Sequence, residues 1–186
     1  MNENAEALYL ESEKAYQEDR WEDYIFLSRQ AARLGHVFAA ANLGLSLDDA
    51  EGFQWAKASM DRVAELAVKG NGYAALKAAG LVESKHFEPT DYARRAYFLE
   101  IAARSNHANS QYELGEAYAD GLGVIHDPIE AAVWLLIARA NGESSAIDLC
   151  ETILNQLDSN ERKQARENAK ILFSEIRSNH LKGTDF

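Results

Sequence analysis

The chain of 186 residues is 47% apolar and 26% charged, the composition of a soluble domain or a short array of repeats. Its 30 acidic and 19 basic side chains leave a formal charge of −11, which disfavours nucleic acid and anionic membranes as partners, since both select for Lys and Arg. The longest apolar run, Ala131 to Ala138, is too short for a membrane span; the single cysteine excludes an internal disulfide; and the acidic N-terminus lacks a secretory signal, so a cytoplasmic protein is expected.

In chain order, helix pairs are predicted at 3–17 with 21–34, 37–47 with 51–69 and 72–85 with 91–105. A fourth pair begins with a helix at 108–120, ended by Gly121. Its second helix starts at Asp127-Pro128-Ile129-Glu130, with an Asp N-cap, proline in the first turn and glutamate three residues after the cap. Four segments recur along these pairs: AARLGH (31–36), LAVKGN (66–71), AARSNH (102–107) and IARANG (137–142). Their fifth residues are Gly35, Gly70, Asn106 and Asn141, separated by 35, 36 and 35 residues. Gly and Asn tolerate the left-handed conformation that closes a helix, so each segment reads as a helix C-terminus.

Beyond each closing residue comes a small one, Ala39, Ala74, Ser110 or Ser145. A second small position follows at Gly44, Ala79, Gly115 and Cys150, where helices are expected to cross closely. The chain therefore divides into units 3–36, 37–71, 72–107 and 108–142, a partial unit 143–157, a capping helix 158–178 and a tail 179–186. The capping helix carries an apolar stripe (Ala165, Ala169, Leu172, Phe173, Ile176) opposite Arg162, Lys163, Arg166, Glu167 and Lys170.

The stretch 108–142 contains Leu114-Gly115, Tyr118, Gly121-Leu122-Gly123-Val124, Asp127, Ala131-Ala132, Trp134 and Ala138. It closely resembles a Sel1-like repeat, a relative of the tetratricopeptide repeat. The unit at 72–105 replaces the glycine loop with HFEPTD (86–91), and the first two units lack that loop. The resemblance implies an all-α fold: a right-handed α-solenoid of about four to five helix–turn–helix repeats with a C-terminal capping helix. It also implies an adaptor or scaffold without intrinsic catalysis.

Residues that could carry chemistry are better read as structure. Gly121-Leu122-Gly123 follows a helix, lacks a Gly-Lys-Ser/Thr sequence and is flanked by Asp120 and Asp127, so a phosphate loop is rejected. His36 and His107 share a register with Asn71 and Gly142, which marks a turn position. No histidine pair has the i, i+4 spacing of a helical metal site. Cys150 reads as a small buried residue at a crossing, and Trp21, Trp55 and Trp134 as core or half-buried packing residues. No catalytic residue, metal or cofactor is assigned.

Successive first helices are expected to line an inner groove. The resemblance to tetratricopeptide repeats points Phe38, Ala41, Leu45, Asp48 and Asp49 of the second unit into it. The third unit offers Tyr73, Leu76, Gly80, Glu83 and Ser84; the fourth, Asn109, Tyr112, Glu116, Ala119 and Asp120. Ser144, Ile147 and Glu151 follow in the partial fifth unit. An apolar-aromatic track would then run beside an acidic one, with no basic side chain at these positions. The expected function is a non-enzymatic protein–protein interaction adaptor whose partner is a protein or peptide segment with basic residues. A second reading is an immunity protein neutralising a basic toxin or effector. A third, a metal-dependent hydrolase, would use His86 or His126 with Asp127 or Asp91.

Overall fold

Local chemistry sets where the helices begin. Asp49, Asn71, Asp91 and Asp127 each stand just before a helix, and their side chains accept hydrogen bonds from first-turn amides that have no partner within the helix. Asp127 accepts from two, Ile129 at 3.0 Å and Glu130 at 3.1 Å. In the computed structural model, which describes residues 2–183 and side chains as far as Asn179, the result is ten α-helices and no strand among the described residues. They are α1 (Glu3–Gln17), α2 (Trp21–Arg33), α3 (Val37–Ser46), α4 (Ala50–Val68), α5 (Gly72–Glu83), α6 (Tyr92–Arg104), α7 (Ala108–Asp120), α8 (Pro128–Ala140), α9 (Ala146–Gln156) and α10 (Ser159–Gly183).

The ends of α2, α4, α6 and α8 share one closing turn. The amides of His36, Asn71, His107 and Glu143 donate to the carbonyls of Ala31, Leu66, Ala102 and Ala138, five residues back in every case. The residue before each of these donors has positive φ: Gly35 at 90°, Gly70 at 93°, Asn106 at 68° and Gly142 at 89°. The fourth turn therefore closes at Gly142, one residue later than the expected Asn141, whose φ is −86°. Glycine adopts the left-handed region with less strain than asparagine, so where the two are adjacent the turn uses the glycine. Asn141 is freed to join the units. Its amide donates to Asn106 Oδ1 and to Gln111 Oε1, both at 2.8 Å, and the buried Gln111 donates on to the Ala103 carbonyl.

The one-residue shift moves Cys150 as well. Counted seven residues from the donor of the closing turn, it stands with Leu43, Ala78 and Leu114, not with Gly44, Ala79 and Gly115. Glu143, not Gly142, takes the position of His36, Asn71 and His107.

Each odd-numbered helix from α1 to α7 packs against the helix that follows it, and each such pair packs on the next. The units stack because one hairpin cannot cover its own apolar face. The first helices α3 and α5 of successive units touch each other directly, as do the second helices α4 and α6. The crossings are tight. A Cβ on Gly44 would sit 2.6 Å from Ala56 Cα, and one on Gly115 would sit 2.7 Å from Leu135 Cγ. The loop at 121–127 is also a packing device: a Cβ on Gly123 would lie 2.0 Å from the Tyr92 carbonyl oxygen, at the start of α6.

One continuous core runs from Ala41 to Ile176 through Trp134, Leu135 and Ile137, and a smaller one centres on Tyr9, Tyr24 and Leu43. Helix α10 returns onto α8, burying Ala165, Ala169 and Ile176. It is longer than the expected capping helix. Nothing between Ser178 and Gly183 interrupts it, so residues 179–183 of the expected tail are helical, while 184–186 lie outside the described residues. Trp21 departs from its expected packing role. It is 49% exposed and joins Tyr16 and Tyr24 in an aromatic cluster at the N-terminal end, with ring centroids 5.2–6.5 Å apart.

Candidate protein-binding groove

Aromatic rings connect the first three units. Tyr9 of α1 stacks on His36, with ring centroids 4.1 Å apart, and its hydroxyl shares a 2.9 Å hydrogen bond with that of Tyr73 on α5. Phe38 of α3 meets the Tyr73 ring edge-on at 5.0 Å. Burial, and then the bond to Tyr73, push the Tyr9 hydroxyl pKa upward. His36 caps α3, its Nδ1 accepting from the Ala39 amide at 3.2 Å, so its Nε2 is the nitrogen that faces Glu6 Oε2, also at 3.2 Å. Phe38 and Tyr73 thus touch, and Tyr9 joins them from the first unit.

Farther along, Tyr112 of α7 donates its hydroxyl hydrogen to Glu116 one turn on, and that bond pushes its pKa up to about 12. Asn109 is exposed and donates to Glu113. Leu76 is half-buried, while Leu45 is 37% exposed and lies 3.2 Å from where a Cβ on Gly80 would be. Ile147 is 46% exposed at the far end. Ala41, by contrast, is fully buried in the core and faces no groove.

The acidic track is less one-sided than the linear reading expects. Asp48 pairs with Lys85 at 3.1 Å, Glu83 with Arg95 at 2.9 Å and Glu151 with Arg139 at 3.2 Å. Arg95 also holds Glu113 at 2.6 Å, opposing the burial that raises the Glu113 carboxyl pKa. Asp49 is committed to capping α4. Glu116 and Asp120 remain as carboxylates without an ion pair among the described residues. A basic side chain does face this side: Lys77 Nζ lies 5.0 Å from the Tyr73 ring centroid.

Counting from the second unit also misses the contribution of α1. Glu13 and Tyr16 line a pocket of about 220 Å³ with Asn42, Leu45 and Lys77. The spacing of Tyr9, Glu13 and Tyr16 at i, i+4 and i+7 marks one helical face and was the available signal.

Three residues of the hydrolase reading, His86, Asp91 and Asp127, serve other roles. His86 Nε2 is 2.9 Å from the Leu47 carbonyl oxygen, Asp91 and Asp127 cap helices, and among the described residues no group of three His, Cys, Asp or Glu could hold a metal ion. Cys150 is fully buried, which pushes its thiol pKa up, away from the thiolate a nucleophile needs. No described helix is long and apolar enough to cross a membrane.

No family model matches the chain, and no curated protein does. Among solved structures, it is similar to the crystal structure of a protective antigen present in uropathogenic Escherichia coli strains, described as displaying an SLR fold. The similarity has a TM-score of 0.77 at 21% identity. It covers 95% of this chain and 39% of the antigen, so the chain spans about two-fifths of that protein's length. Helix pairs closed by a common turn at near-constant intervals, stacked as in that antigen, give this chain the Sel1-like repeat fold: an α-solenoid capped by its last helix.

Proposed function

We propose that the chain is a non-enzymatic adaptor that holds a segment of another protein along the inner face of its first helices. The observation that carries this reading is the set of partly buried aromatics Phe38, Tyr73 and Tyr112, one from each of three successive first helices, together with the exposed Leu45 on α3 and Ile147 on α9. Partly buried aromatic side chains on a rigid frame supply contact area with little ordering entropy, which is how most binding energy is concentrated in few residues. Glu116 and Asp120 would steer a segment bearing Lys or Arg, governing association rate more than final affinity. Apolar anchors flanked by one or two basic residues are therefore the expected partner sequence. A strongly basic surface is a poorer match, because Asp48, Glu83 and Glu151 are already neutralised within the chain.

Tyr112 is the better probe of this reading, since Tyr73 also holds Tyr9 and its truncation would loosen the first three units. Immobilised wild-type chain should retain a partner that Tyr112→Ala binds roughly tenfold or more weakly. Glu116→Lys with Asp120→Lys should slow association and flatten its salt dependence. A partner indifferent to both variants would rule out the inner face.

A further inference from the structure

The pocket between α1, α3 and α5 raises a separate question: what fills it. At about 220 Å³ it is below the roughly 300–1,000 Å³ of sites that enclose a whole small molecule, and it has room for a side chain. Tyr16, Tyr24 and Leu45 give it apolar walls; Glu13, Asn42 and Lys77 are its main polar groups.

Asn42 is the informative member. It is only 4% exposed, its Nδ2 donates to Glu13 Oε1 at 2.8 Å, and its Oδ1 has no hydrogen-bond partner. Buried acceptors in native proteins are paired as a rule, so this oxygen marks where a donor is wanted. Because the same amide reaches Glu13, the unpaired carbonyl stands beside a carboxylate. Two adjacent acceptors, one of them charged, match a planar cation that presents several N–H groups. Tyr16, 57% exposed, adds an aromatic face on which such a plane can stack.

We infer that this pocket receives an arginine side chain of the bound segment, its guanidinium donating to Glu13 and to Asn42 Oδ1 and stacking on Tyr16. The inference rests on the inner-face reading and assigns one basic residue of the partner to a place. Lys77 is the group that opposes it. Its ammonium, held over the Tyr73 ring, repels a second cation, and Asn42 Oδ1 is closed to solvent, so a pocket side chain must shift for the guanidinium to reach it.

The test titrates N-acetyl-arginine methylamide into the full chain at low salt, following the backbone amides of positions 13, 42 and 45 by NMR. A saturable shift is expected, several-fold weaker with the lysine analogue, which lacks the planar fork. Glu13→Gln should weaken binding roughly tenfold. Lys77→Met should strengthen it. Asn42→Leu should abolish it, and because the substitution also removes the hydrogen bond to Glu13, its Tm is measured beside it. If Asn42→Leu fails to fold, the other two variants decide the matter. No saturable shift, equal binding of the lysine analogue, or weaker binding in Lys77→Met overturns the assignment. A chain that ignores the probe yet captures a Tyr112-dependent partner refutes the pocket and spares the groove. Probe binding without such a partner refutes the groove instead.

Discussion

A missing side chain is as informative as a present one at Gly44 and Gly115. Both stand where a first helix crosses its second, and the sequence marks both as small positions. Their neighbours differ in kind. Gly44 faces the backbone of Ala56, whose Cα and N would be 2.6 and 2.7 Å from a new Cβ, whereas Gly115 faces the Leu135 side chain, with Cγ at 2.7 Å and Cδ2 at 3.0 Å. Backbone cannot step aside without moving a helix, while a leucine can change rotamer. Gly44→Ala should therefore destabilise by about 1–3 kcal/mol and Gly115→Ala by less. Gly115→Leu should reach the range of Gly44→Ala, since no rotamer of Leu135 makes room for four carbons. Urea unfolding with an unchanged slope checks the order, and a harmless Gly44→Ala would contradict the crossing described here.

Between elements, the clearest polar tie joins α2 to α4. Arg29 donates to both carboxylate oxygens of Glu51, at 2.7 and 2.8 Å, and Trp55 donates to the same group. The Arg29 bonds, with a smaller contribution from Trp55, hold the Glu51 carboxyl below its usual pKa against a modest opposing effect of burial. A carboxylate whose pKa is lower folded than unfolded stabilises the fold above its ordinary range and loses that contribution as pH falls through the folded value. Each side chain is about a third exposed, so solvent screening keeps the pair below about 1 kcal/mol. Glu51→Gln should lower Tm slightly at neutral pH, and its gap to wild type should close in acid. A gap that persists below the carboxylate range would assign the effect to packing of the Trp55 ring.

For the whole molecule, the decisive element is the last. Helix α10 covers α8, and its Ala165, Ala169 and Ile176 belong to the same core as Trp134. A chain ending at Leu157 would leave the apolar side of the last hairpin in water, where it should self-associate. Light scattering should show aggregates of the truncated form at concentrations where the full chain stays dispersed. A truncated chain that remains monomeric would mean that α10 is not the cap.

The helix pairs, their near-constant period and the capping helix are determined by sequence alone, because caps and closing turns depend on residues within five positions of one another. The Gly142 turn shows how narrow the remaining ambiguity is: two adjacent residues could close the helix, and the less strained one does. The inner face is a different matter. Lys85 reaches Asp48, Arg95 reaches Glu83 and Glu113, and Lys77 lies over Tyr73, with Asn42 and Glu13 meeting from different units. Only the tertiary structure decided which charges meet, because stacking brings together side chains far apart in the chain, at separations set by the curvature of the array.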